Sequence, residues 1–512
     1  MSVTLTRRAL LTGALSAVAT ATFADAPARS LRPRERARDL GLSRIRPQAR
    51  TSLQDILENS GLGGDMSVAI ANMRSGQMLE SHQGDVFLPP ASVTKSVTAL
   101  YALDALGANY RFSTRILATG PIRDGIIQGD LILAGGGDPV LTTDHLADLA
   151  AALKSAGILG VTGGFKVYGN ALPYEEEIDP GQLDHLGYNP ALSGLNLNFN
   201  RVHFEWARAG GSYRVSMDAR TELYRPDVTI ARMRVADRSR PIYAYESAEN
   251  TDNWSVARGA LGDRGSRWLP VRKPALYAGD VFRTLARAQG VTLPQAQRMT
   301  QTPSGTELAL HNSAPLQDIL RDMLKYSTNL TAEIVGLAAS KRRSGTVPTD
   351  LQGSAQQMTQ WINQTFGVNA SFVDHSGLGD LTRINADQMI KILTSEGSFD
   401  ALHPILKHIA LRDAEGNVLR DHPADVRAKT GTLNFVSALA GYVQVSGGDH
   451  LAFAIISGDL EQREIGKASP DEMPHGARTY NTRAKRLQQR LLQRWGQIYA
   501  PAQVVAQVAV TD

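Results

Sequence analysis

Three short stretches carry side chains that could cooperate in covalent chemistry. Ser92-Val93-Thr94-Lys95 sets a hydroxyl and an amine three residues apart, so on a helix they share a face. A serine is a poor nucleophile until a neighbouring base accepts its proton. Lysine can be that base only when burial or a second cation lowers its proton affinity. Lys429-Thr430-Gly431-Thr432 offers such a cation, together with two hydroxyls and a backbone unobstructed at glycine. That set suits a carboxylate held on a strand edge. Ser327-Thr328-Asn329 adds a hydroxyl to pass a proton and an amide to hold a substrate carbonyl. Ser-x-x-Lys and Ser-x-Asn each recur by accident in a chain of 512 residues, and a helix cap is the bland reading of the second. Order and context are what set the three apart.

The elements that must position them can be read from periodicity and punctuation. Residues 51–63 read as a helix with a Ser or Thr start and a glycine stop, and residues 66–81 as a hairpin turning at Arg74-Ser75-Gly76. Pro89-Pro90 then fix the entry to a helix over about 92–106 that opens on the serine. Between about 116 and 304 the texture changes to short strand-like runs and Gly/Pro turns, which predicts an inserted β-rich region of one or two small domains. Helical signals return over 314–340, placing Ser327 and Asn329 on a loop between helices. Strands are expected over 435–445 and 451–457, joined by Gly447-Gly448. A final amphipathic helix carries Leu487, Leu491, Trp495 and Ile498 on one face. The predicted division is a catalytic part over 51–115 and 305–500, split by the insert.

Bulk properties exclude several classes. With 54 basic and 50 acidic residues, the charge is too mild to argue for nucleic acid. The absence of cysteine removes disulfides, thiol nucleophiles and thiolate metal sites. The 11 histidines include no pair at metal-binding spacing, so no metal is expected. No apolar run reaches the roughly 18 residues of a membrane span. Arg7 and Arg8 precede a short apolar stretch ending in small residues, the build of a twin-arginine export signal over 1–24. The arginine-rich segment over 25–50 reads as a solvated tail, with at most peripheral contact with an anionic membrane.

Other candidates have plainer readings. "AGGGDPV" (134–140) lacks the spacing of a phosphate loop and reads as a turn at the entrance to the insert. Glu175, Glu176, Glu177 and Asp179 read as a solvated acidic loop, and His375 as a polar loop residue. Arg483, Arg486, Arg490 and Arg494 are expected to face water from the last helix.

The set Ser-x-x-Lys, Ser-x-Asn and Lys-Thr-Gly resembles that of the penicillin-recognising serine D,D-peptidases. The long separation of Ser92 from Ser327 is similar to the low-molecular-mass class C penicillin-binding proteins. "LAGGGDPVLT", "ALSGLNLNFNRV", "PALYAGDVFRTLARAQGV" and "DHSGLG" look like the same family. The resemblance runs from about 51 to 495. It implies an α/β fold, an antiparallel sheet flanked by helices, and a D-alanyl-D-alanine carboxypeptidase and endopeptidase acting on peptidoglycan stem peptides in the periplasm. It implies acylation by β-lactams at Ser92, with Lys95 as base, Ser327 as proton relay and Asn329 orienting the substrate amide. Lys429, Thr430 and Thr432 would bind the terminal carboxylate, and the N–H groups of Ser92 and Thr432 would form the oxyanion hole. No cofactor is implied. Members of that family that act on diaminopimelate-containing peptide often carry an arginine two residues after the leucine of Ser-Gly-Leu. Here Asp380 stands there, and Arg383 is the candidate to reach that place from a shifted loop. Two alternatives stay open: a β-lactamase or esterase on the same scaffold, and a non-catalytic wall-binding or β-lactam-sensing protein.

Overall fold

The computed structural model describes residues 51–420, 422–445 and 447–500. The expected export signal and arginine-rich tail lie outside them. The sheet beneath the three motifs has six antiparallel strands. Their order is Lys407–His408, Ala424–Leu433, Val436–Val445, His450–Gly458, Asp65–Asn72 and Met78–His82. Its centre joins the two ends of the described chain. The hairpin over 66–81 forms as expected: Gly76 takes a left-handed φ of 67°, and the Asn72 side chain accepts the N–H groups of Arg74 and Ser75.

Alternation sorts the two faces of this sheet. Leu439, Val443, Leu451, Phe453 and Ile455 turn to one side, where they meet Leu487, Leu491, Leu492 and Trp495 of the C-terminal helix Ala477–Ile498. Ala438, Ala440, Ala452 and Ala454 turn to the other, sharing a core with Val97 and Tyr101 of the helix Thr94–Leu106. Small side chains on that face let the helix lie close. Every residue from Thr94 to Ala102 is buried, so this is a central core helix rather than a surface one.

Three boundaries differ from the expectation. The helix begins at Thr94, because Pro89-Pro90 lead into a 3-10 turn, Ala91–Val93, with Ala91 at φ 47°. The Lys429 tetrad does not precede a strand but lies inside one, Ala424–Leu433. That strand turns into Val436–Val445 through Phe435, whose φ of 60° ends the extended run. The stretch over 314–340 parts into Leu316–Tyr326 and Asn329–Ser344 at Ser327, φ 59°, as expected, but Asn329 opens the second helix rather than lying on the loop.

The intervening region contains a five-stranded sheet in the order Ala296–Met299, Phe165–Tyr168, Leu131–Gly135, Ser113–Ala118, Thr306–Asn312. Ser113–Ala118 runs across residue 115 and pairs with Thr306–Asn312, so the region leaves and re-enters the rest of the molecule side by side. Three three-stranded sheets complete the region, and the strand-like runs read from sequence form Ser212–Asp218 and Ala231–Ala236 in two of them. Two helices were not anticipated there, Thr143–Ser155 and Pro274–Ala288. Their apolar faces, including Leu146, Leu149, Val281 and Phe282, close one core with the sheets. The turn at 134–140 is structural, with Gly137 at φ 91° and Asp138 capping the Val140 N–H.

Candidate active site

The serine sits where the chain is most constrained. Ser92 lies in the 3-10 turn and Lys95 in the first turn of the helix that continues it, so the two side chains three apart share a face. Lys95 Nζ donates to Ser92 Oγ at 3.0 Å, to Asn329 Oδ1 at 2.8 Å and to the Ser376 carbonyl at 2.8 Å. All three ammonium hydrogens are thus used, and the lysine side chain is fully buried. Burial pushes its amine well below the usual lysine range, while the carboxyls of Glu333 and Asp374 pull the other way.

A second amine closes the other side. Lys429 Nζ donates to Ser327 Oγ at 3.0 Å and to its neighbour's carbonyl, Thr430 O, at 2.7 Å. It is also pushed far down, by burial first and then by Lys95 and Lys407. The expected lowering of Lys95 by Lys429 is therefore replaced by desolvation, with the repulsion felt at Lys429. Alternation along Ala424–Leu433 buries Lys429 and Gly431 and exposes Thr430 and Thr432. A Cβ at Gly431 would overlap Pro90 O and come within 3.2 Å of Ser92 N, so the bare backbone lies against the serine. The short strand Lys407–His408 pairs only as far as Ala428. Beyond it the edge over 429–433 lies open beside Ser92 among the described strands, where an extended peptide could add by backbone pairing.

Ser92, Lys95, Ser327, Asn329 and Lys429 are thereby brought together, and Thr430 and Thr432 lie along the open edge. The residues matched by the family description D-Ala-D-Ala carboxypeptidase 3 (S13) are 49–478, which span this whole arrangement. The chain belongs to that family.

Membership in the S13 family makes it a serine hydrolase of the D-Ala-D-Ala carboxypeptidase type. The D-alanyl-D-alanine carboxypeptidase of Actinomadura sp. (strain R39) is 28% identical over 442 residues, covering 80% of this chain and 81% of that protein. D-alanyl-D-alanine carboxypeptidase DacB of Haemophilus influenzae is 25% identical over 443 residues, covering 81% of this chain and 91% of its own. The crystal structure of penicillin binding protein 4 (dacB) from Haemophilus influenzae superposes with a TM-score of 0.68 at 21% identity, over 86% of this chain and 99% of that one. The α/β penicillin-binding fold with added domains is therefore the fold of this S13 chain.

Several side chains around the site escaped the sequence reading. Asp374 accepts the N–H of Gly377 at 2.6 Å and also that of Gly379, shaping the loop that presents the Ser376 carbonyl to Lys95. Glu333 is completely buried one helical turn from Asn329. His375 lies on a loop as expected but is buried there, with Nε2 2.8 Å from Ser354 Oγ, and burial drives its proton affinity down to about 3. Arg383 is spent on its own loop, donating to the carbonyls of Asp380 and Thr382. Asp380 is instead held by Arg463 at 2.6 Å and by Lys467.

The acidic run is a joint rather than a solvated loop. Glu175 accepts the Leu351 N–H at 2.7 Å, and Glu177 pairs with buried Arg272. From the same region, the Tyr188 carbonyl accepts the Asn329 amide at 2.9 Å, so the insert touches the site directly. On the last helix, Arg483, Arg486 and Arg490 are exposed as expected. Arg494 departs from them by pairing with Glu80 at 2.6 Å.

Proposed function

We propose that Ser92 cleaves the bond between the two terminal D-alanines of a peptidoglycan stem peptide through an acyl-enzyme. The observation that carries this reading is the buried Lys95 amine, hydrogen-bonded at once to Ser92 and Asn329. Lys95, as the free amine, takes the Ser92 proton as Oγ attacks the penultimate carbonyl. The N–H groups of Ser92 and Thr432 receive the oxyanion, a contribution worth about 3 kcal/mol per donor in comparable sites. Lys429, Thr430 and Thr432 hold the terminal carboxylate. The proton returns through Ser327 to the leaving amine, the C–N bond breaks, and D-alanine departs. A water molecule then attacks the ester and regenerates the serine. The same path with a cross-linked peptide gives endopeptidase activity.

A β-lactam follows the first half of this path, but its leaving amine stays tethered, so the adduct persists. Penicillin binding protein 4 (dacB) from Haemophilus influenzae has a crystal structure in complex with a novel β-lactam, which supports this pairing. Export by the segment over 1–24 to the periplasm completes the proposal, since the substrate lies outside the cytoplasmic membrane.

The test is D-alanine release from a pentapeptide ending in D-Ala-D-Ala, wild type beside Ser92→Ala, with the lifetime of a labelled-penicillin adduct followed in parallel. Release by the wild type, loss of release in the variant and a long-lived adduct are expected. Rapid loss of the adduct without peptide turnover would favour a β-lactamase instead.

A further inference from the structure

We infer that Glu333 is a positioning residue for the Ser92–Lys95 pair, tuning the charge of the lysine from beneath. Acids are almost never fully buried unless paired, yet Glu333 is wholly inside. It lies four residues after Asn329 on one helix, hence on the same face and one turn deeper than the group that takes the Lys95 amine. Its Oε2 accepts the His375 backbone N–H at 2.8 Å, the Ser376 side chain favours its charged form, and its Oε1 makes no hydrogen bond among the described residues.

That pattern is more than a tie. Tying down the His375 N–H needs only a neutral acceptor, which an amide supplies equally well. A carboxyl with a bare buried oxygen costs stability that a purely structural role would not justify. The loop over 374–379 is anchored from both ends, at His375 by Glu333 and at Gly377 and Gly379 by Asp374. Between the anchors lies the Ser376 carbonyl that receives Lys95. Two buried carboxyls thus hold the loop whose carbonyl receives the amine.

The groups facing this cluster come from every surrounding element. Lys429 approaches from the tetrad strand, with Lys407 acting on it from the next strand. Asp179 of the insert acts on Asp374. His375 is held neutral by burial. Of the charges acting on Lys95, Glu333 is the larger supporter of the protonated amine, ahead of Asp374. Burial, and then Asp374, push the Glu333 carboxyl itself upward. Amine and acid are therefore drawn toward each other in proton affinity, and the charge on one governs the charge on the other.

The inference rests on the proposed role of Lys95 and is tested by Glu333→Gln, which keeps the acceptor for His375 and removes the charge. The acylation rate of a fluorescent penicillin would be followed from pH 5.5 to 10, beside wild type and Glu333→Asp, with melting temperatures reporting the fold. Without the carboxylate, the protonated amine loses the stronger of the two opposite charges acting on it and releases its proton earlier. The rising limb of the profile should move to lower pH by about one unit or more in Glu333→Gln. Glu333→Asp should keep the limb near its wild-type position, at a reduced maximal rate. A limb that stays put in Glu333→Gln, or moves equally in Glu333→Asp, overturns the inference. Undiminished acylation in Ser92→Ala would instead undo the reading on which it rests.

Discussion

Proton bookkeeping at single residues governs this site, and His375 shows how strongly burial enters it. The ring is sealed between Ser354 and the Met358 sulfur, 3.3 Å from Nδ1, and its proton affinity falls from the ordinary 6.5 to about 3. The unfolded chain therefore binds a proton in that window that the folded chain does not. Stability from this group is intact above pH 6.5 and drains as the pH falls through the window toward 3, by about 1.4 kcal/mol per unit. Unfolding free energies from urea titrations at pH 7 and 5.5 should differ by about 1.4 kcal/mol more in the wild type than in His375→Gln. Identical differences would contradict the assignment. Ser92 and Lys95 were legible in the sequence because their contact is local and set by helical spacing. Glu333 and His375 were not, since a single chain does not show which polar residue ends up dry. Arg383 misled for the same reason: proximity in sequence to Ser376 did not tell where its guanidinium would be used.

At the scale of elements, the chemistry depends on two backbones meeting without side chains between them. Gly377 has φ 75°, and a Cβ there would overlap Ala91 O and sit 2.6 Å from Thr94 Oγ1. Neither the left-handed conformation nor the contact tolerates alanine. Gly377→Ala should lose about 1–3 kcal/mol from backbone strain alone. It should also slow penicillin acylation at least ten-fold, because Ser376 O can no longer hold Lys95 in place. Denaturation and labelling measured on the same sample check both, and an unchanged labelling rate would contradict the loop's role. The hairpin over 66–81 and the central helix were readable from their punctuation, Arg74-Ser75-Gly76 at the turn and Pro89-Pro90 ahead of the helix. The tetrad strand was hidden: only Ala424, Val426, Ala428 and Leu433 break its polar run, so its membership of the sheet comes from pairing with Val436–Val445. The two helices of the insert were masked by the surrounding turn signals, although Leu146, Leu149 and Leu153 of the first carry a helical stripe.

Across the whole molecule, the insert is fastened to the catalytic part by contacts of unequal worth. Leu172, Ile178 and Leu192 pack on Leu330, Ile334 and Leu337 of the helix that begins with Asn329. Each buried side chain of this kind contributes about 1.5–3 kcal/mol. Farther out, Glu472 meets His185 at 2.8 Å and also Arg267, but its side chain is 44% exposed and such pairs contribute about 0–1 kcal/mol. The apolar joint dominates, and it lies directly behind the site. Strands between about 116 and 304 were evident from turn spacing, whereas the seating of that region against Asn329 depended on long-range packing that no local pattern encodes. All of this chemistry rests on one hydroxyl being the nucleophile in the assembled pocket. Mass mapping of the full chain after exposure to benzylpenicillin tests that most directly. A single adduct on the peptide holding Ser92, absent from Ser92→Ala, is predicted; an adduct on any other residue, or one equally abundant in the variant, would contradict it.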